Sequence, residues 1–330
     1  MIRKSIARAF AAALILAPAA VFAQTCGGED RLAAWRAEDP DGIAAAEARA
    51  AAHANAEGVF WRVEKAGLPT SWLLGTHHFA DADPDAPYAE ALGDARVLFV
   101  EITETEEAAM AAAMASDPTL IANAEPRPLE TLIDPDLAAR AKERLAAFGI
   151  PAEATAMLKP WFVNLLLAVP PCVAAMQQAG ETGMDKDLQR LAAERGIEAR
   201  GLETWREQIE AFKAFLGPDP AEALSMTLAD PEDPESVLRT GEALYEQERV
   251  MMIWEVTIER ARPRVPNIDE FVPAAWDAIA AKRNRNMADR AAEELAKGGV
   301  FIAVGALHLP TEDGLVELLR ADGYEVTRVE

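Results

Sequence analysis

Two short apolar runs, each ending in a glycine and then a histidine three residues later, constrain the fold of this chain more than any other feature. The first run is "WLLGTHH", residues 72–78, and the second is "VFIAVGALH", residues 300–308. Apolar runs of this length, bounded by turn residues, are typical of buried strands. Two of the four histidines in the chain therefore end strands, where a turn leaving the sheet holds each imidazole beside a cleft.

The pattern around these runs predicts a mixed α/β fold. "GVFWRV" and "SWLLGT", on either side of the turn "AGLPT", predict a β-hairpin, and "RVLFVEIT" predicts another buried strand. Residues 104–180 and 205–262 carry apolar positions at helical spacing, so we expect a large helix-rich insert. Strands from both ends of the chain then form a central sheet with an active site at its strand ends.

Residues 1–23 have the pattern of a secretory signal peptide. "MIRKSIARAF" supplies a positive n-region, "AAALILAPAA" supplies an apolar h-region, and "VFA" places small residues before Gln24. We therefore expect cleavage after residue 23, a helical segment over residues 24–56 and one domain over residues 57–330. The apolar run is too short to span a membrane comfortably, so we expect a periplasmic or secreted protein without a transmembrane anchor; an uncleaved anchor is the alternative.

The charge and the cysteines narrow the class of protein further. A formal net charge of −23 argues against nucleic acid and anionic lipid as partners, because such a surface repels both. Cys26 and Cys172 are the two cysteines of the chain, and an isolated pair in an oxidising compartment favours a disulfide. Two unpaired buried thiols are the alternative.

Polar side chains follow several of the predicted strands, where the ligand and catalytic groups of open α/β sheets gather. Gly75 and Gly305 allow a sharp turn and a close backbone approach at two of these ends. A lone Gly-x-x-His turn is commonly structural, whereas two such turns favour a site. A salt bridge or a helix cap explains Glu203 and Asp185 equally well. The candidates at strand ends are His78, Glu101, Glu203 and His308.

These residue types suit the activation of water. Two imidazoles and a carboxylate can bind a divalent metal ion with open positions for water, which generates hydroxide near neutral pH. Without a metal, one imidazole oriented by Glu101 can act as a general base. The sequence contains no phosphate-binding loop, dinucleotide fingerprint or serine nucleophile elbow, so other familiar chemistry is not indicated.

Successive blocks of the sequence resemble the TraB/GumN family. They are "LLGTHH", "VLFVEIT", "GMDKDLQRLAAERGIEARGLET", "RNRNMADRAAEEL" and "VFIAVGALHLPTEDGLVELLRADGYEVTRV", and they run from about residue 57 to residue 330. That family includes the TIKI metalloproteases and is more distantly similar to erythromycin-esterase and ChaN-like proteins. Thr311 stands where the family often has a glycine, a departure that we expect to alter only the loop.

The resemblance implies roles for four residues. It makes His78 and His308 the two motif histidines, Glu101 the strand-end acid, and Arg283 of "KRNRNM" a basic group for an oxyanion or a carboxylate. A divalent metal ion would be held by His78, Glu101 and His308. His77 occupies a position where an aliphatic residue is common, so we expect it to face the opposite side of the strand; a spare ligand is the alternative.

The leading hypothesis from the sequence is an exported, metal-dependent hydrolase of the TraB/GumN type that cleaves a peptide or a small ester. One alternative is a non-catalytic binding protein that retains the same pocket. Another is a structural factor in envelope or polysaccharide assembly, which has no need for converging His, Glu and Arg side chains. Hydrolase and binding protein need the same cavity, so the sequence does not separate them.

Overall fold

The structure, a computed structural model, describes residues 26–80, 82–265 and 267–329. Within that part of the chain, six strands form one sheet and helices make up most of the remainder. The mixed α/β prediction and the helix-rich insert are therefore confirmed. The predicted signal peptide, residues 1–23, lies outside the described residues.

The sheet is built from strands near both ends of the chain. The strands are β1 (Phe60–Glu64), β2 (Ser71–Thr76), β3 (Val97–Val100), β4 (Glu198–Gly201), β5 (Val300–Gly305) and β6 (Glu325–Arg328). Their order in the sheet is β4-β3-β5-β2-β1-β6. The pairs β2–β5, β5–β3 and β3–β4 are parallel, and β1 is antiparallel to both β2 and β6. The predicted hairpin is β1–β2.

Six of the fifteen α-helices in the described residues begin at a residue whose side chain caps the first turn. Four of them start with proline directly after an aspartate whose side chain accepts a hydrogen bond from a backbone N–H of the first turn. The helices are α1 (Leu32–Glu38), α2 (Pro40–Ala52), α3 (Pro87–Gly93), α4 (Glu104–Ser116), α5 (Pro135–Ala146), α6 (Pro160–Leu167), α7 (Pro171–Ala179), α8 (Met184–Glu194), α9 (Trp205–Phe215), α10 (Pro220–Leu228), α11 (Pro234–Glu246), α12 (Val250–Ala261), α13 (Ile268–Trp276), α14 (Lys282–Leu295) and α15 (Leu315–Ala321).

Helices cover both faces of the central strands, because alternate residues of a strand point to opposite sides. One face packs against α14 and α15, and the other packs against α3 and α8. The first face includes Leu73, Phe99 and Ile302, and the second includes Leu74, Leu98 and Phe301. The strand ends are therefore held between two packed layers.

The helices away from the sheet have apolar cores of their own. Leu145, Val163 and Leu224 belong to a core shared by α5, α6 and α10 of the insert. The N-terminal helices α1 and α2 pack against α12 through a cluster that includes Trp35 and Ile43. These helices are thus held in place by buried apolar side chains, and burial of apolar area is the main stabilising term in folding.

Cys26 and Cys172 form a disulfide, as predicted, with their Cα atoms 5.1 Å apart. Cys172 lies in the first turn of α7 and belongs to a small apolar cluster that also contacts Phe79. The disulfide therefore fastens the N-terminal segment close to the turn that follows β2.

No single helix in residues 26–80, 82–265 and 267–329 is both long enough and apolar enough to cross a membrane. By length and composition, only the pair Pro160–Leu167 and Pro171–Glu194 passes, and it is bent by 80°.

Candidate functional site

The carboxyl ends of three neighbouring strands lie at one edge of the sheet. Thr76 of β2 pairs with Gly305 of β5, and Val100 of β3 pairs with Ala303 of β5. Parallel strands in this register release their following residues on the same side. The side chains that emerge there are those of His78, Glu101 and His308.

His78 is the exposed imidazole of this edge. Its Nδ1 lies 2.7 Å from Oδ2 of Asp185, and the other oxygen of that carboxylate accepts a 2.7 Å hydrogen bond from the Thr76 hydroxyl. Asp185 lies in the first turn of α8, so this helix fixes the orientation of the ring. The side chain of His78 keeps 56% of its surface exposed, and its Nε2 faces Gly305.

His308 is the buried imidazole. It ends a short 3₁₀ turn after β5 and is 4% exposed. Its Nδ1 lies 2.5 Å from Oδ1 of Asn284, whose Nδ2 donates a 2.9 Å hydrogen bond to the carbonyl of Asp313. That second bond fixes the amide orientation, so His308 donates from Nδ1 and carries its lone pair on Nε2.

Glu101 lies between the two imidazoles. Its Oε1 accepts a 2.7 Å hydrogen bond from the backbone N–H of Gly305 and lies 3.5 Å from Nε2 of His308. A Cβ placed on Gly305 would lie 3.0 Å from the same Oε1 and 3.2 Å from Nε2 of His78. Nε2 of His78 and Oε1 of Glu101 therefore both lie beside Gly305, and Oε1 also lies beside Nε2 of His308, so both rings border one pocket.

Arg283 reaches the pocket from α14, but protein carboxylates bind its guanidinium. Nη2 donates to Glu101 at 2.6 Å and to Glu203 at 2.5 Å, while Nε donates to Glu203 at 2.9 Å. Nη1 donates to the carbonyl of Ile279 at 2.9 Å. Its carboxylate partners belong to the protein itself. Arg283 therefore orients Glu101 rather than presenting a free group to a substrate.

Two further residues that the sequence singled out, Glu203 and His77, contact other side chains of the protein. Glu203 is 5% exposed and pairs with Arg283. The ring centroid of His77 lies 5.4 Å from that of Tyr245 and 6.2 Å from that of Phe79. Two residues of the site were not predicted from the sequence: Asn284, which binds His308, and Gln208, which donates to Glu101 at 3.1 Å. Both are ordinary polar positions on helices, and no spacing rule connects them to the strand ends.

The profile of the TraB/PrgY/gumN family matches residues 59–328. The chain belongs to that family. The match covers the whole sheet and every residue of the pocket, and it confirms the resemblance drawn from the sequence blocks. Comparison with curated proteins and with solved structures finds no match.

The two imidazoles of this TraB/PrgY/gumN chain have opposite protonation states at neutral pH. Desolvation opposes the charged form of His78, but the hydrogen bond and charge of Asp185 outweigh it and raise the pKa of His78 to about 9. Desolvation dominates at His308 and lowers its pKa to about 3, although the charge of Glu101 opposes this shift.

The carboxylate between the rings stays ionised. Burial acts to raise the pKa of Glu101, but the surrounding imidazoles and the Arg283 guanidinium outweigh it and hold that pKa well below its usual range. The pocket therefore presents a protonated ring, a neutral ring with a free lone pair, and an anion between them. Environments that separate the pKa values of two neighbouring groups are typical of acid–base pairs.

The donor set does not fit the three-ligand metal site that the sequence suggested. Each imidazole keeps Nε2 free, which suits a ligand, but both oxygens of Glu101 are already bound, one by Gly305 and one by Arg283. A guanidinium beside the carboxylate opposes a second cation at the same place. Among the described residues, no group of three His, Cys, Asp or Glu side chains is arranged to share a metal ion.

Proposed function

We propose that this chain is a hydrolase of a peptide or a small ester, in which the two motif histidines divide the acid and base roles. The observation that carries the proposal is geometric. Each imidazole is anchored through Nδ1, by Asp185 in one case and Asn284 in the other, and each turns Nε2 toward the space beside Glu101. Rings held in this way are pre-organised for proton transfer.

The buried ring activates water in this proposal. A water held by Nε2 of His308 and Oε1 of Glu101 attacks the carbonyl carbon of the substrate and gives its proton to Nε2. Glu101 remains ionised, and its negative charge stabilises the imidazolium that forms 3.5 Å away. Since His308 is 4% exposed, it is reached by water rather than by the substrate.

The exposed ring completes the reaction. Protonated His78 faces the cleft and donates its Nε2 proton to the leaving oxygen or nitrogen as the carbonyl bond to that atom breaks. The proton held by His308 then returns through water to His78, which restores both starting states. One water is consumed, and the products are a carboxylic acid and an alcohol or an amine.

Substitution of the two rings tests this assignment. Purified mature protein would be assayed on activated esters and on a mixed peptide library. We expect His308→Gln and His78→Gln each to lower kcat/KM by about 100-fold or more, the range for loss of a general acid or base. His53→Gln is the matched control, because His53 lies beyond α2 and its nearest charged partner is Glu255.

Two results would contradict the proposal. If His308→Gln retains full activity, the buried ring is not the base. If the wild-type chain binds peptides or polysaccharide fragments without turnover, the pocket belongs to a binding protein.

A chelator should leave the rate unchanged, because both oxygens of Glu101 are already bound within the protein. Loss of activity on chelation, restored by added Mn²⁺ or Zn²⁺, would show that a metal ion rearranges the pocket.

We propose further that the chain acts in the periplasm or outside the cell. The signal-peptide pattern of residues 1–23 and the Cys26–Cys172 disulfide support this location, since disulfides persist in oxidising compartments. Intact-mass measurement of protein from the periplasmic fraction should begin at Gln24. Soluble protein that still carries Met1 would contradict export by cleavage.

A further inference from the structure

The first turn of α8 contacts the chain segment that carries His78 at several points. Asp185 binds the Thr76 hydroxyl and the His78 ring, both at 2.7 Å. Asp187 accepts a 3.2 Å hydrogen bond from the backbone N–H of Ala82, beyond the histidine turn. The same Asp187 accepts a 2.6 Å hydrogen bond from the Thr182 hydroxyl. The helix therefore holds the segment on both sides of the imidazole.

Gly183, the residue before α8, makes the closest approach to this segment. A Cβ on Gly183 would lie 1.8 Å from the carbonyl oxygen of His78 and 2.9 Å from its carbonyl carbon. Both are backbone atoms, so a side chain at 183 requires the turn or the helix to move. The backbone of Gly183 has φ −80° and ψ 172°, which any residue adopts. Glycine is thus needed because no side chain fits between the backbones of residues 183 and 78, and not because of its conformational freedom.

We propose that Gly183 is a positioning residue for His78: the missing side chain lets α8 approach the turn closely enough for Asp185 to hold the imidazole. Asp187 is the second tether of the same contact. The claim about position stands on these contacts alone, and its consequence for turnover rests on the proposed function. A methyl group at 183 pushes the two backbones apart, and the bond between Asp185 and Nδ1 of His78 lengthens with them.

The same helix also reaches the loop that carries Glu101. Gln189 accepts a 3.1 Å hydrogen bond from the backbone N–H of Glu104, and its own amide donates to the carbonyl of Asp185 at 3.4 Å. One helix therefore sets the distance between the exposed ring and the strand that supplies the anion. Displacement of α8 therefore moves both the His78 ring and the loop that carries Glu101. His308 is held separately by Asn284 on α14.

Gly183→Ala tests this proposal, with Gly241→Ala as the matched control. Gly241 lies inside α11, and a Cβ placed there meets nothing within 4 Å. The chain has four histidines, so the imidazole signals can be assigned by nuclear magnetic resonance. In the wild type and in Gly241→Ala, the Nδ1–H proton of His78 should give a downfield signal typical of a hydrogen bond to a carboxylate. In Gly183→Ala that signal should weaken or vanish, while the signal of His308 remains.

Turnover supplies the second measurement. We expect folded Gly183→Ala protein to show a kcat lowered by about 10-fold to 100-fold, because a displacement of about 1 Å can cost that much. If Gly183→Ala does not fold, Asp187→Asn decides the question. It replaces one of the two acceptor oxygens with an amide nitrogen of similar size, so the side chain no longer accepts from both Ala82 and Thr182, and the His78 signal should weaken there too.

The outcomes separate the two proposals. Folded Gly183→Ala or Asp187→Asn protein that keeps the His78 signal at full strength would overturn the positioning role. Wild-type protein that shows the signal but hydrolyses none of the esters or peptides would overturn the proposed function. In that case, loss of the signal in Gly183→Ala would still establish Gly183 as the residue that positions His78.

Discussion

Replacing Arg283 with methionine tests whether the arginine is a structural counter-ion of the pocket. The guanidinium makes its hydrogen bonds to Glu101, Glu203 and the carbonyl of Ile279, and its side chain is 16% exposed. The side chains of Glu101 and Glu203 are 10% and 3% exposed, so water does not replace a lost partner for either. Methionine is unbranched and apolar and fills much of the same volume without the charge.

The expected cost follows from this burial. Removing one partner of a buried ion pair costs about 3–5 kcal/mol, because the remaining charge stays desolvated. Here one arginine serves two carboxylates, so we expect the upper part of that range. Since whole domains are stable by about 5–15 kcal/mol, the loss would be visible as a large fall in the urea midpoint.

The contribution of Glu101 to the pH dependence of the free energy of unfolding should change sign as well. In the wild type the folded-state pKa of Glu101 is depressed below its usual 4.5, so its stabilisation is present above that value and is lost as the pH falls below it. In Arg283→Met, burial acts on Glu101 without the guanidinium and beside a second carboxylate, which raises the folded-state pKa above the unfolded one. The loss of stability relative to the wild type should therefore shrink as the pH is lowered from about 7 to about 5.

Urea unfolding at these two pH values, followed by circular dichroism, measures both effects. Arg285→Met is the matched control, because Arg285 lies two residues further along α14, is 47% exposed and pairs with Asp277 and Asp313 at the surface. The control should lose under about 1 kcal/mol. Arg283→Met with a similarly small loss, or with a loss that does not shrink on acidification, would refute the counter-ion role.

Three further substitutions test other parts of the structure. Thr311→Gly should raise the free energy of unfolding by about 1 kcal/mol, because Thr311 has φ 78° and a buried hydroxyl with no hydrogen-bond partner in the described residues; a lower urea midpoint would contradict this. Replacing Cys26 and Cys172 with serine should cost about 2–5 kcal/mol, and a reductant should then have no further effect on the unfolding curve. Glu207→Gln should cost less than about 1 kcal/mol, since the pair with Arg290 is 40% exposed. The Arg290 hydrogen bond lowers the pKa of Glu207 to about 2, from 4.5. The difference in free energy of unfolding between the wild type and Glu207→Gln should therefore be full above pH 4.5 and vanish near pH 2. A difference that persists in acid would refute the pairing.

The parts of the fold set by local patterns were predictable from the sequence. The runs "SWLLGT" and "VFIAVG" are apolar at every position but their ends, and they became β2 and β5, the parallel pair at the centre of the sheet. Their shared Gly-x-x-His ending placed both histidines at the same edge. The disulfide was predictable for a simpler reason, because the chain offers only one pair of cysteines.

The partners that give the site its chemistry were not predictable in the same way. Asp185 binds His78 across 107 residues of sequence, and Arg283 binds Glu101 across 182. Such contacts depend on how α8 and α14 pack on the two faces of the sheet, which no local pattern encodes. An arginine in "KRNRNM" most simply indicates an exposed helix surface, and only burial between two carboxylates shows that Arg283 supports Glu101.

The two histidine turns show why a motif alone does not specify a role. Both place an imidazole three residues after a strand glycine, yet one ring is exposed beside a carboxylate and the other is buried beside an amide. The anion favours a proton on His78, and burial beside a neutral group disfavours one on His308. The same turn, repeated in the chain, thus produces a donor and an acceptor that face each other across Glu101. The difference lies in the burial of His308 and in the partners of the two rings, a carboxylate at His78 and an amide at His308.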